Sequence, residues 1–260
     1  MGFTGFAVRL SFVVFATFLL PSLVAQEKLP PQKPSPKPIS ESGQKSGYVW
    51  ADNPISSQYT PSPIYSFNSS GGKITIVRSD VGKYSVFFAG LGGRGGNALV
   101  TAYGPGSEAC KIQGFGSDQK DSTTFVVNVF CFDLNGKAID TTYTARVMWT
   151  DATFGKHGYT WADNPTHPSY LPSRLYSHNS SGGPIRVERT DIGSYHVRFT
   201  GLGGRGLAGG NVLVTAYGGG NETCKVVYWD SGGADFIAGV RCFDGNAKAA
   251  DSQFTINVVW

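Results

Sequence analysis

The string Gly47-Tyr48-Val49-Trp50-Ala51-Asp52-Asn53-Pro54 occurs a second time as Gly158-Tyr159-Thr160-Trp161-Ala162-Asp163-Asn164-Pro165. Asn68-Ser69-Ser70-Gly71-Gly72 returns as Asn179-Ser180-Ser181-Gly182-Gly183, and Gly90-Leu91-Gly92-Gly93-Arg94-Gly95 as Gly201-Leu202-Gly203-Gly204-Arg205-Gly206. Val147-Met148-Trp149 and Val258-Val259-Trp260 close the two copies. Whatever this chain folds into is built twice, over residues 47–149 and again over 158–260. Each copy has about a hundred residues, the size of a domain that folds alone and well above the unit of a solenoid. The connector from Thr150 to His157 is short, which places the two units close together.

The copies serve as each other's alignment. Tyr84-Ser85-Val86-Phe87-Phe88 answers to Tyr195-His196-Val197-Arg198-Phe199, so Tyr, Val and Phe persist at alternate positions while the residues between them change. That period of two marks a strand with one face in a core and the other in solvent. The last strand behaves alike: Tyr143, Ala145, Val147 and Trp149 match Phe254, Ile256, Val258 and Trp260, with Thr144, Arg146 and Met148 opposite Thr255, Asn257 and Val259. Further strands are expected over 73–79, 97–103, 108–113 and 125–132 and their counterparts. Asp80-Val81-Gly82, Asn135-Gly136, Asp191-Ile192-Gly193 and Asp244-Gly245 supply turns between strands. Thirty-five glycines, 13% aromatic and only 15% charged residues suit strands and tight turns rather than helices. The expected fold is all-β: two tandem antiparallel β-sandwich domains, with an immunoglobulin-like sandwich as the first choice.

The net charge of +4 is unevenly placed. Residues 1–46 hold five basic groups (Arg9, Lys28, Lys33, Lys37, Lys45) and two acidic ones (Glu27, Glu41), leaving a net of +1 for 47–260. The concentrated basic face that displaces counterions from phosphates is missing, which argues against nucleic acid as a partner. Arg9 followed by the apolar run Phe12–Leu20 and by Leu23-Val24-Ala25 has the layout of a secretory signal peptide over 1–25. The run is short for a membrane span and Pro21 interrupts it, so no span is expected in the mature form. Residues 26–46, with Pro30, Pro31, Pro34, Pro36 and Pro38, read as a Pro-rich linker biased towards extended polyproline II. The expected location is secreted, extracellular or periplasmic.

Each copy carries two cysteines, Cys110 with Cys131 and Cys224 with Cys242. In an oxidising compartment one disulfide per copy is the natural expectation. The cysteines lie too far apart for a metal site, and the four histidines (157, 167, 178 and 196) have no counterparts in the first copy, so no metal and no cofactor is expected.

Several strings invite a chemical reading. Gly90-Leu91-Gly92-Gly93-Arg94-Gly95 spells a dinucleotide motif, but a strand and not a helix N-terminus follows it, so a connection between strands is the expectation. Arg94 and Arg205 on that loop could meet an acidic ligand or brace the loop. Tyr48, Trp50, Asp52 and Asn53, with Tyr159, Trp161, Asp163 and Asn164, could form sugar-stacking platforms with hydrogen-bonding neighbours. The preferred reading makes Trp a core anchor and Asp-Asn-Pro a turn. Asn68, Asn179 and Asn221 begin glycosylation sequons, the first two also explained by a Ser-Ser-Gly-Gly turn. Asp52, Asp80 and Asp133 recur as Asp163, Asp191 and Asp244 at apparent turns. No catalytic set occurs in both copies; a hydrolase site confined to the second, using His167, His178 or His196 with Asp163, is the remaining enzyme reading.

Tyr-x-Trp-Ala-Asp-Asn-Pro, Asn-Ser-Ser-Gly-Gly, Gly-x-Tyr-x-Val-x-Phe, Gly-Leu-Gly-Gly, Val-Thr-Ala-Tyr-Gly and Cys-Phe-Asp together resemble the repeats of tandem-repeat secreted bacterial β-domain proteins of no known activity. The resemblance spans both copies and implies export and a bacterial origin, without site residues. The functional expectation is a non-enzymatic module that binds a carbohydrate or a cell-surface protein, with doubled sites giving avidity. The alternative is a structural or adhesive envelope component. Exposure of Tyr48, Trp50, Tyr59 and Tyr65, with Tyr159, Trp161, Tyr170 and Tyr176, separates the two: exposed in a row for binding, buried for structure.

Overall fold

Alternating apolar side chains need two sheets to close over them, and the chain supplies those sheets twice. The computed structural model describes Gly2 and residues 45–149 and 155–260. The expected leader, the linker up to residue 44 and connector residues 150–154 lie outside the described residues. The chain divides into Met1–Pro38 and Ile39–Trp260, and the second unit holds both copies.

In the first copy the strands are β1 (Ser46–Ala51), β2 (Gln58–Tyr59), β3 (Ser66–Asn68), β4 (Ile74–Asp80), β5 (Lys83–Ala89), β6 (Asn97–Ala102), β7 (Ala109–Ser117), β8 (Thr124–Phe132) and β9 (Tyr143–Met148). The second copy repeats them as β10 (His157–Ala162), β11 (Ser169–Tyr170), β12 (Ser177–Asn179), β13 (Ile185–Asp191), β14 (Ser194–Phe199), β15 (Asn211–Tyr217), β16 (Thr223–Asp230), β17 (Phe236–Phe243) and β18 (Gln253–Val259). A short 3-10 turn, Arg174–Tyr176, is the one helical element among the described residues. The protein is all-β, and its strands pair almost wholly antiparallel.

Each copy has the same two sheets. In the first they run β3-β1-β9-β6 and β2-β4-β5-β8-β7; in the second, β12-β10-β18-β15 and β11-β13-β14-β17-β16. Val49, Ala145 and Val147 from one sheet meet Ile76, Val86 and Phe88 from the other in the first core. Ala162, Ile256 and Val258 meet Val187, Val197 and Phe199 in the second. The strand order differs from an immunoglobulin sandwich, where the second and third of the seven main strands lie in different sheets. Here β4 and β5, the second and third long strands, form a hairpin within one sheet. The disulfides differ too: Cys110–Cys131 and Cys224–Cys242 join directly opposed residues of adjacent strands, not the two sheets. Such bonds belong to an oxidising, non-cytoplasmic compartment. Among the described residues no helix is long and apolar enough to cross a membrane.

The two copies join through their edges. The end of β15 pairs parallel with β7, Tyr217 opposite Ile112, and the Gly218 amide donates to the Ile112 carbonyl at 2.8 Å. The second copy's four-stranded sheet thereby continues into the first copy's five-stranded one. Above that seam the free edge of β6 rests on the outer face of β18 and β15. The Thr215 hydroxyl accepts from the Val100 amide (3.1 Å) and donates to the Val100 carbonyl (3.2 Å), and the Thr255 hydroxyl donates to the Ala98 carbonyl (2.7 Å). Thr255 and Asn257 were expected to face solvent, like Thr144 and Arg146; they are buried because the first copy sits on them.

A carboxylate knot holds each sandwich at one end. Asp140, just before β9, accepts two hydrogen bonds from Arg78 (2.9 and 2.7 Å), one from the Gly82 amide (2.9 Å) and one from the Tyr84 hydroxyl (2.9 Å). Asp251 repeats all four with Arg189, Gly193 and Tyr195. Gly82 has φ of +67°, and a Cβ there would strike the Cys131 carbonyl, so the β4–β5 turn admits only glycine without strain. The Arg78 hydrogen bonds, then the Gly82 amide and the Tyr84 hydroxyl, pull the Asp140 carboxyl down to about 2 against the opposing effect of burial. Asp251 is lowered by the same set of partners. A depressed folded-state value means that this stabilisation is complete above the unfolded carboxylate value, about 4, and is lost as pH falls through about 2 for Asp140. Thermal melting between neutral pH and pH near 2 should therefore show a fall in Tm, and the Asp140→Asn/Asp251→Asn variant should melt lower at neutral pH with a shallower fall.

Candidate functional site

Strand β1 points Val49 and Ala51 into the core, which turns Tyr48 and Trp50 outward. The preferred expectation of Trp as a core anchor is corrected here: the side chain sits on the outer face because its two apolar neighbours take the inner one. Register then assembles two rows across the sheet. Phe67, Tyr48, Arg146 and Leu99 form one; Tyr65, Trp50, Thr144 and Thr101 form the other. Tyr103 stands just past the end of β6, where its amide donates to the Thr142 carbonyl at 2.8 Å. The Trp50 ring lies 5.3 Å from both Tyr65 and Tyr103, edge-on to each, while Tyr48 and Phe67 stack at 5.8 Å. Tyr48, Tyr65 and Tyr103 are 44%, 49% and 55% exposed, so this is an open aromatic face. The Trp50 indole nitrogen is covered and has no hydrogen-bond partner among the described residues.

In the second copy the same face is occupied. Tyr159, the counterpart of Tyr48, is 3% exposed, and Thr255 is fully buried where Thr144 is open. Tyr176 and Tyr217 pack around Trp161 as Tyr65 and Tyr103 do around Trp50. Phe115 of the first copy lies edge-on against both, at 5.6 and 5.9 Å. Asn257 reaches the Met148 sulfur at 3.1 Å. The shared aromatics are thus neither exposed in a row in both copies nor buried in both. One face is open and its twin is covered by protein, which leaves one aromatic surface rather than the two that avidity would use.

The other expected site residues fall into turns. The Asn53 carbonyl accepts from the Ser56 amide and its own amide donates to the Tyr59 hydroxyl; Asn164 repeats this with His167 and Tyr170. Asp52 and Asp163 are half-buried just past β1 and β10, and the Asp163 carbonyl accepts from Gln253. Leu91 and Leu202 plug the cores, and the Gly92 and Gly203 carbonyls accept from Lys45 and Lys156. The Gly-rich strings are therefore structural corners leading into β6 and β15, with the Arg94 and Arg205 side chains exposed. The amide groups of Asn68 and Asn179 donate inward to Gly72 and Ala89, and to Gly183 and Thr200, fixing the Ser-Ser-Gly-Gly turns. Asp80, Asp133, Asp191 and Asp244 each accept from turn amides, as the spacing predicts. His196 lies on β14 in one sheet and His178 on β12 in the other, while His167 holds the Ser169 amide. None of the three is hydrogen-bonded to a carboxylate among the described residues.

Sequence reasoning passed over Lys111 and Glu222, which meet at 2.7 Å across the seam. They line a cleft of about 280 Å3 walled by β6 and β7 on one side and β15 and β16 on the other. The Lys111 side chain is 1% exposed; burial pushes its ammonium below the ordinary value, and the Glu222 hydrogen bond restores only part of that. The available signal was that Lys follows Cys in both copies, Cys110-Lys111 and Cys224-Lys225, and that Glu108 and Glu222 each precede Cys by two. Tyr103 was likewise signalled by the repeated Val-Thr-Ala-Tyr-Gly.

Compared with known proteins, the chain matches no family model, no curated protein and no solved structure. Its geometry alone carries the functional argument. Glu222→Ala strands the buried Lys111 ammonium and should lower unfolding free energy by about 3 kcal/mol. Lys111→Met combined with Glu222→Leu should recover most of that loss in urea titrations.

Proposed function

We propose that this protein is an exported, non-enzymatic binding module made of two tandem sandwich units, and that the aromatic face of the first unit is its binding surface for a protein. One observation carries the reading: the Tyr48, Trp50, Tyr65 and Tyr103 face is open, while the same face of the second unit is a working protein-binding surface. Tyrosine and tryptophan are the residues that protein interfaces enrich at their centres. A protein partner is favoured over a carbohydrate because Trp50 stands edge-on to its neighbours, 86° to Tyr65 and 60° to Tyr103, and so forms no flat stacking platform. The disulfides support export through the expected leader.

The test is a panel of glycans and purified extracellular proteins, this protein included, probed with the parent and with Tyr48→Ala/Tyr65→Ala/Tyr103→Ala. Retention should occur on protein spots and weaken by about thirtyfold in the triple variant. Ile55→Ser, at a more exposed residue off the face, should bind like the parent. Equal binding by the triple variant would sink the reading.

A further inference from the structure

The contact between the two copies has two unlike sides, and each copy carries both of them. One side is an open sandwich end: the β6 and β7 edges with Leu99, Lys111 and Phe115. The other is an outer sheet face: Thr215, Thr255, Tyr176, Tyr217 and Glu222. Within one molecule the end of the first copy takes the face of the second. Apart from the β15 terminus, which pairs with β7, this leaves the face of the first copy and the end of the second without a partner among the described residues.

Both unpartnered sides keep the chemistry of their covered twins. In the first copy Thr101 and Thr144 stand for Thr215 and Thr255, Tyr65 and Tyr103 for Tyr176 and Tyr217, and Glu108 for Glu222, with Thr101 and Glu108 also lining the cleft that holds Lys111 and Glu222. At the open end Lys225 stands for Lys111, Leu213 for Leu99 and Trp229 for Phe115. Exposure separates the twins sharply. Leu99 is 8% exposed against 49% for Leu213, and Val227, Tyr228 and Trp229 are 57%, 43% and 46% exposed along β16. Lys111 is buried in an ion pair; Lys225 is exposed, and neither it nor Glu108 is in an ion pair among the described residues. Gly95 abuts Leu175 inside the molecule. Its loop is longer in the second copy and presents exposed Leu207, while Ile64, the twin of Leu175, is 70% exposed. One contact is not kept: Asn257 on Met148 becomes Arg146 facing Val259.

We infer that the aromatic face of one molecule takes the open β15–β16 end of a second molecule, repeating the intramolecular contact head to tail. Lys225 then pairs with Glu108 of the next molecule, Trp229 packs between Tyr65 and Tyr103, and the end of β6 extends β16 at Val226 as β15 extends β7 at Ile112. Such a heterologous contact does not close on itself in a dimer, so it produces rings or filaments. The inference rests on the binding surface proposed above and names its occupant.

Sedimentation velocity over a micromolar-to-millimolar series tests it. The parent should grow beyond monomer with concentration. Lys225→Glu and Glu108→Lys should each weaken association by about tenfold or more, because each alone sets like charges together at a partly covered contact. An equimolar mixture of the two should associate again, since every mixed contact then has opposite charges. Trp229→Ala should weaken association with an unchanged circular dichroism melt, which excludes unfolding as the cause. A parent that stays monomeric, or charge variants that associate like the parent, would overturn the inference. If the parent is monomeric but the triple tyrosine variant still loses a different protein on the panel, the second copy is excluded and the binding face stands. If that variant loses nothing, both readings fall.

Discussion

Every two-sheet sandwich ends in strands with unpaired amides and carbonyls, and here the free edge of β6 decides how the molecule is put together. The Val100 amide and carbonyl and the Ala98 carbonyl are buried, and a buried backbone polar group without a partner is costly. Two threonine hydroxyls of the second copy supply the partners. A threonine can do this from a sheet face because its hydroxyl both donates and accepts. Beside it, β15 pairs with β7, so the second exposed edge of the same sandwich end is covered in one step. Edge strands left open template unwanted pairing, and the β6 and β7 edges of the first copy are covered by its own duplicate.

That contact breaks the equivalence of the copies. Two copies of one unit, joined face to end, cannot both be covered: the geometry uses one face and one end and leaves the others open. Tyr48 and Tyr159 are the same residue in the same register on the same strand, yet one meets solvent and the other is buried. Lys111 is a buried cation paired with Glu222 of the other copy, whereas Lys225 is in no ion pair among the described residues. The open aromatic face is thus a consequence of how the two units pack on each other.

Much of the architecture was legible in the chain. The expected strands 73–79, 97–103 and 125–132 correspond to β4, β6 and β8 almost residue for residue, and the Tyr84, Val86 and Phe88 alternation of β5 is a direct consequence of the pleat. The turn aspartates were legible for a similar reason, since their carboxylates cap amides two to four residues away. The strand order was not, because pairing β1 with β9 joins residues almost a hundred positions apart and no local signal records it. Asp140 escaped notice for the same cause: its partners Arg78, Gly82 and Tyr84 are distant in sequence and adjacent only after β4 and β5 fold back. The Trp50 reading failed on a subtler point, in that alternation shows which residues share a face but not which face is inward when both carry apolar groups.

The chain alone determined that one unit is built twice, that its strands bury Tyr, Val and Phe at every second position, and that its cysteines sit two to a copy. Those properties depend on backbone geometry and on neighbours a few residues away. Only the tertiary structure decided which of the two equivalent faces is covered. Thr144 and Thr255 show the difference: both point outward from the last strand of their copy, one into water and the other onto the Ala98 carbonyl. A side chain's direction is set by the strand it belongs to, but what lies opposite is set by contacts between distant segments, and in this protein those contacts are what distinguish an open face from an interior.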